Sequence, residues 1–177
     1  MIAPSATLNI RPYEVSDREA LKTWFYSGKY PEFFRDMHAL TDAQLDVFAY
    51  MKDGQGFIVR ENTQGRSVGF VVIYEIRAVP RNCKLSILID RDFQERGYCL
   101  EAMVSMAKYV FFRLGMEKMI VECLESNTRL QKLTEQGGFN KECVLEREAR
   151  IDTDLVNVVR YTLFKEQFIE VLKGLGG

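Results

Sequence analysis

One histidine, His38, and four cysteines are all the soft metal ligands this chain offers. Cys83, Cys99, Cys123 and Cys143 are scattered, no two of them form a C-x-x-C pair, and a structural zinc site therefore lacks ligands at usable spacing. Buried thiols in a reducing compartment are the expected reading, ahead of any disulfide or metal role. The lone histidine also disfavours chemistry built on a Ser-His or Cys-His pair. Charge of one sign is missing too: 24 basic side chains against 25 acidic ones leave a net charge of −1. Such a balance exerts no general pull on nucleic acid or on an acidic membrane surface. No apolar run approaches the ~18 residues of a membrane span, and Met1 to Pro12 carries no apolar core of a secretory signal. The expected protein is soluble and cytoplasmic, with neither nucleic acid nor membrane as a partner.

What is present reads as an ordinary globular chain. It has 177 residues, 47% hydrophobic and 28% charged, which is one domain's worth and enough for a packed core without staples. No linker, repeat or low-complexity stretch divides it, so residues 1–177 are read as a single domain. Thr7 to Tyr13 alternates as a strand. Ser16-Asp17-Arg18-Glu19 reads as a capping box opening a helix through Leu21, Trp24 and Phe25. Thr41-Asp42-Ala43-Gln44 repeats the signature and opens a second helix, with Leu45, Phe48 and Ala49 on one face, broken at Asp53-Gly54. Strands are expected at Phe57–Glu61, Val68–Ile76 and Lys84–Asp90, the first two joined by the turn Asn62 to Gly65. The period then changes: Leu100, Met103, Val104, Ala107, Val110, Phe111 and Leu114 form one helical stripe closed by Gly115. A strand at Met119–Cys123, a helix at Thr128–Gln136, strands at Lys141–Arg150 and Leu155–Phe164 and a weak helix at Lys165–Lys173 complete the chain. This order predicts an α/β (α+β) fold: a mixed, mostly antiparallel sheet with helices on both faces.

The most informative stretch runs from Ile87 to Ala102, where a strand ends, a polar turn follows, and Gly97 stands where an amphipathic helix begins. A helix start directs unpaired N–H groups and a positive dipole end at one spot, which suits a phosphate. Gly97 lets a ligand approach the backbone closely, although a glycine there also serves plain chain reversal. Neither a P-loop nor G-x-G-x-x-G is present.

Two motifs together carry a resemblance. Gln94-x-x-Gly97-x-Cys99 resembles the Q/R-x-x-G-x-G/A pyrophosphate loop of the GNAT superfamily of acyl-CoA-dependent N-acetyltransferases. Asn127, Leu133, Glu135, Gly138 and Phe139 are similar to that family's N-x(5)-L-x-E-x-x-G-F pattern, and Leu8 to Pro12 with Asp17 looks like its opening. The branch that looks closest holds spermidine/spermine and ribosomal-protein N-terminal acetyltransferases. The resemblance implies that the main chain of Ile87, Leu88 and Ile89 pairs with the pantetheine of acetyl-CoA. It further implies that the amides of Gln94, Glu95, Arg96, Gly97, Tyr98 and Cys99 hold the pyrophosphate, and that the Asn127 side chain bonds the pantetheine arm. The Leu88 amide is the expected donor to the developing oxyanion. Without the resemblance, the same residues read as a buried strand, a helix start and an N-cap.

Three positions depart from the family pattern. Cys99 replaces a small Gly or Ala, Leu130 replaces a common Ser, and Thr134 stands where a Tyr usually protonates the departing thiolate. Thr134 is a far weaker acid than a phenol. The attacking amine must also lose a proton, and Glu75 is the expected general base by family position, against a plain solvated strand carboxylate. Glu32, Asp36, Asp42, Asp46 and Asp53 either attract a polyamine or form a solvated helix face. Tyr30, Phe33 and Phe34 beside them are expected to pack rather than bind. The function implied is acetyl transfer from acetyl-CoA to a primary amine, a polyamine-like molecule or a protein N-terminus, by direct attack in a ternary complex and without metal. A CoA-binding protein with little catalysis is the alternative, and a homodimer is the expected assembly.

Overall fold

The period-two stretches become strands in the computed structural model, which describes residues 7–26, 53–151 and 153–175. They are β1 (Leu8–Pro12), β2 (Gln55–Glu61), β3 (Ser67–Arg77), β4 (Asn82–Ile89), β5 (Lys118–Leu124), β6 (Asn140–Ile151) and β7 (Asp154–Phe164). One sheet contains all seven, in the order β1-β2-β3-β4-β5-β7-β6. Every neighbouring pair is antiparallel except β4 with β5. That pair is joined by the crossover helix α2 (Tyr98–Lys108), because parallel strands cannot be linked by a tight turn. The other described helices are α1 (Arg18–Tyr26), α3 (Thr128–Gln136) and α4 (Lys165–Leu175).

Alternation along the strands sends apolar side chains to both faces. Leu85, Ile87, Val121 and Val159 join Met103 and Met106 of α2 and Phe168 of α4 in the larger core. Ile58, Phe70, Val72 and Leu88 point the other way, onto Leu21, Trp24 and Phe25 of α1. Each such side chain, fully withdrawn from water, contributes about 1.5–3 kcal/mol. Helices thus cover both faces, as expected. The Trp24 indole also donates to Asp90 Oδ2 at 2.8 Å, tying α1 to the end of β4. No helix among the described residues is long and apolar enough to cross a membrane.

Two expectations shift. The N-terminal box is framed earlier than Ser16–Glu19: the Glu14 amide donates to Asp17 Oδ2 at 2.9 Å, and Val15–Asp17 forms a 3-10 turn before α1. Asp17 is recruited because Arg11 grips it with two bonds of 2.6 and 2.7 Å. The helix expected to reach Leu114 gives way after Lys108 to a π turn, Tyr109–Arg113, where the Leu114 amide donates to the Tyr109 carbonyl at 3.1 Å. Gly115 follows with φ +68°, as a C′ residue should. Apart from Asp53, the helix expected from Thr41 lies outside the described residues, as do Tyr30, Phe33 and Phe34.

Candidate functional site

The parallel seam is short. Its rungs run from Asn82↔Lys118 to Leu85↔Val121 and then stop, while β4 continues to Ile89 and β5 to Leu124. Beyond Leu85 the two strands part and leave a slot. Which backbone groups face that slot follows from the β3 pairing. The Asp90 amide donates to the Val68 carbonyl at 2.9 Å, so Asp90 is turned toward β3, and so is Leu88, its neighbour two residues back. Ile87 and Ile89 carry their amides and carbonyls toward the slot. The Leu88 amide, expected as the oxyanion donor, is thus turned to β3, and the Ile87 amide beside it is the one that faces the slot. On the β3 side, a Cβ at Gly69 would lie 2.3 Å from the Leu88 carbonyl oxygen, so only glycine lets the two strands come this close.

The slot opens into a cavity of about 310 Å³. Its strand wall is Ile87, Leu88 and Ile89. Its floor is the loop and first turn of α2, with Phe93, Gln94, Glu95, Gly97, Tyr98 and Cys99. Its far wall is the start of α3, with Asn127, Arg129, Leu130 and Leu133. Of the expected loop residues only Arg96 does not line the cavity. It folds over the Phe93 ring, 5.1 Å from the centroid, opposite Arg66 at 4.8 Å.

Gly97 caps α2 in the left-handed region, at φ +78° and ψ −2°. A Cβ there would meet nothing within 4 Å, so glycine is present for its backbone and the space above it is open. An α-helix leaves its first four N–H groups without helical partners, here those of Gly97, Tyr98, Cys99 and Leu100, and the ladder starts with Glu101 donating to the Gly97 carbonyl at 3.1 Å. The Gln94 amide, in contrast, donates to the Arg91 carbonyl at 3.2 Å. Of the amides expected to hold the pyrophosphate, that of Gln94 is thus already engaged within the chain.

Asn127 is the N-cap of α3 and lines the cavity: its Oδ1 accepts from the Leu130 amide at 3.1 Å, and the cap does not use Nδ2. Cap and ligand contact are compatible in one side chain. The Gln94 side chain spans the floor, donating to the Ile89 carbonyl at 3.1 Å and accepting from Arg129 at 2.6 Å. Arg129 is a contact that the sequence reading missed, although a cation in the first turn of a helix is unfavourably placed for the dipole and was a legible sign.

Thr134 is fully buried and its hydroxyl donates to the Leu130 carbonyl at 2.7 Å, so it neither lines the cavity nor has a proton to offer there. Burial pushes the Cys99 thiol up to about 11, and the Cys123 thiol likewise to about 11. Neither is a thiolate near neutral pH, so neither is an activated nucleophile.

On the α1 face, below the end of the seam, lies a polar depression of about 270 Å³ lined by Glu75, Arg77, Lys84 and Arg160 among others. Glu75 sits in a bulge of β3, at φ +48°, and does not reach the cavity. Its two oxygens pair with Lys84 at 2.9 Å and Arg77 at 3.0 Å. The Lys84 hydrogen bond, first among several attractions, holds its carboxyl below the usual range despite partial burial. Glu122 stands differently. It follows Val121, so it is the first β5 residue past the last rung and faces the side that carries Lys84. It pairs with Arg160 at 2.7 Å and with Lys84 at 3.3 Å. Neither carboxylate lines the cavity, and Glu122 is the one on the strand just past the last rung of the seam.

Residues 7–140 match the acetyltransferase (GNAT) domain family. The chain belongs to the GNAT acetyltransferase family. As a GNAT protein it is an acyltransferase, and acetyl-CoA is the co-substrate of this chemistry. Among its relatives, the spermidine N(1)-acetyltransferase of Escherichia coli (strain K12) is 24% identical, over 94% of this chain and 91% of that one. That of Vibrio cholerae serotype O1 is 23% identical, over 87% and 85%. A solved structure of the spermidine N-acetyltransferase from Vibrio cholerae in complex with CoA and spermine superposes with a TM-score of 0.85. It has 19% identity and covers 93% of this chain and 99% of that one. A dodecameric structure of the Vibrio cholerae enzyme gives 0.81 at 19% identity, covering 94% and 99%.

Proposed function

We propose that the protein acetylates a primary amine of the polyamine type, with acetyl-CoA lying in the cavity between β4, α2 and α3. The observation that carries this is the edge of β4 that β5 leaves unpaired past Leu85, where Ile87 and the Ile89 amide face the slot, running into the open space above Gly97. One extended chain with amides and a terminal diphosphate fits both parts at once. In this reading the main chain of Ile87 and the Ile89 amide pair with the pantetheine, while the Ile89 carbonyl stays with Gln94, Asn127 Nδ2 adds a further bond, and the first amides of α2 take the phosphates. Ile87's N–H donates to the thioester carbonyl, where charge collects as the amine attacks. Leu88 lines the wall, but its amide is turned to β3 and its side chain packs in the α1 core.

The acceptor comes from the α1 face through the gap between β4 and β5. Glu122 takes the amine's proton, directly or through water, and Lys84 and Arg160 hold it in place. Glu75, expected as the base, instead fixes Lys84. With no thiolate available, direct attack within a ternary complex is favoured over an acyl-enzyme. The buried Thr134 hydroxyl motivates a non-catalytic alternative, but nothing in the relatives supports it. The spermidine acetyltransferases among the relatives support a polyamine acceptor. Of the acidic residues that would attract one, Asp53 is exposed and Glu32, Asp36, Asp42 and Asp46 lie outside the described residues. A cytoplasmic homo-oligomer, at least a dimer, accompanies this reading. The test is a panel of spermidine, spermine, small monoamines and peptides with free N-termini, read by CoA thiol release. Turnover confined to peptides would refute the polyamine acceptor, and turnover with no amine at all would refute the activity.

A further inference from the structure

We infer that Arg129 is the residue by which this enzyme selects a pyrophosphate-bearing donor over a phosphate-free pantetheine thioester. The inference rests on the cavity being the acetyl-CoA site. The loop's first residue, Gln94, is neutral, and its side chain is committed at both ends. The amide nitrogen donates to the Ile89 carbonyl at 3.1 Å and the oxygen accepts from Arg129 at 2.6 Å. This bridge carries a guanidinium from the far wall to the floor, beside the place where the loop turns into α2. Its field is felt at Cys99, in the first turn of α2, where Arg129 pulls the thiol down against the larger upward push of burial.

Arg129 stands on the first turn of α3, where the helix dipole repels a cation. Its recorded side-chain partner is a neutral amide, which compensates little of that. An anion in the cavity would relieve both conditions, and a planar guanidinium with five donors suits two adjacent phosphates better than an ammonium does. Glu95 also lines the cavity and opposes any anion. Arg96 does not offset it from within, since it lies over Phe93. Arg129 is consequently the one cation among the cavity-lining residues described.

The experiment is isothermal titration of the full protein with three probes: CoA, dephospho-CoA and pantetheine. Arg129→Gln should weaken CoA by about tenfold or more, the loss expected for an exposed charge-assisted hydrogen bond, and dephospho-CoA equally. Pantetheine should be unaffected. Arg129→Lys should recover part of the affinity, because it keeps the charge and loses the fork. Arg129 is exposed, so these variants should fold. Unchanged CoA affinity overturns the inference. So does a loss for CoA that is absent for dephospho-CoA, which would assign Arg129 to the 3′-phosphate, and so does an equal loss for pantetheine, which would make its role structural. Gly97→Asp separates the levels: if it weakens CoA while Arg129→Gln does not, the cavity assignment stands and only Arg129 falls. If neither does, the cavity assignment falls as well.

Discussion

Gly97 permits a substitution pair that isolates charge from shape. Asn and Asp are nearly isosteric, and both enter the left-handed region more readily than other residues. Nothing lies within 4 Å of the new Cβ, so neither should clash with the protein. Both variants share a backbone cost of about 1 kcal/mol in stability for placing a side chain at positive φ. They differ by one negative charge beside the phosphates. For a carboxylate about 6 Å from each of two phosphate charges, Coulomb's law gives about 1.4 kcal/mol at the dielectric of water and about 5.5 kcal/mol at an effective value of about 20. The mouth of the cavity is solvated, so the lower figure governs, and Gly97→Asp should bind CoA about tenfold more weakly than Gly97→Asn. Titration calorimetry at about 0.05 M and about 0.5 M salt should show that difference shrinking as the Debye length falls. Equal affinities for the Asn and Asp variants would refute the placement of the pyrophosphate over Gly97, whatever their common difference from wild type.

Four further outcomes follow from the same geometry. Thr134→Val should cost on the order of 1 kcal/mol in stability, for one lost hydrogen bond, and leave kcat within a few-fold; a collapse of kcat in a folded variant would show that the hydroxyl takes part. Glu122→Gln should lower kcat by about 10²-fold near neutral pH, with a defect that narrows as pH rises and more amine arrives deprotonated. Glu75→Gln should cost less than about tenfold, and the reverse order in the pH profiles would return the base to Glu75. Burial alone would raise the Asp17 carboxyl, but the Arg11 hydrogen bond and the Glu14 amide outweigh it and hold it low. Its contribution to stability is therefore present above the unfolded carboxylate value of about 3.9 and is lost as pH falls through the lower folded value. Asp17→Asn should remove about 2 kcal/mol at neutral pH, and chemical denaturation should find the two proteins converging in acid.

Most of this fold was legible because its signals are local. Thr128–Gln136 has the bounds expected from Asn127 and Gly137, and the strands differ from the readings by one or two residues at their ends. The site was legible only down to its segments. Ile87 to Ile89, Gly97, Cys99 and Asn127 do line one cavity. The choice between the amides of Ile87 and Leu88 depends on how β4 registers against β3, a non-local fact that no stretch of sequence encodes. Glu122, the base proposed above, was illegible for the same reason: on paper it is one charge inside a strand, and only the strand pairing places it past the end of the parallel seam. Glu75 drew notice by family position, but a bulge turns it into the arms of Lys84 and Arg77. The capping frame was misread because Ser16 is a good cap in isolation, whereas the competing Asp17 is fixed by Arg11 from another element.

An unpaired strand edge is ordinarily a hazard, since exposed N–H and C=O groups template pairing with other chains and lead to aggregation. Here the exposed stretch is only about one rung deep on each side of Leu88, and it lies recessed between α2 and α3. Pantetheine is slender, carries two amides and has no side chains along most of its length. If acetyl-CoA lies there as proposed, the same recess shields the edge from other chains and is filled by a ligand whose amides take the place of a strand's.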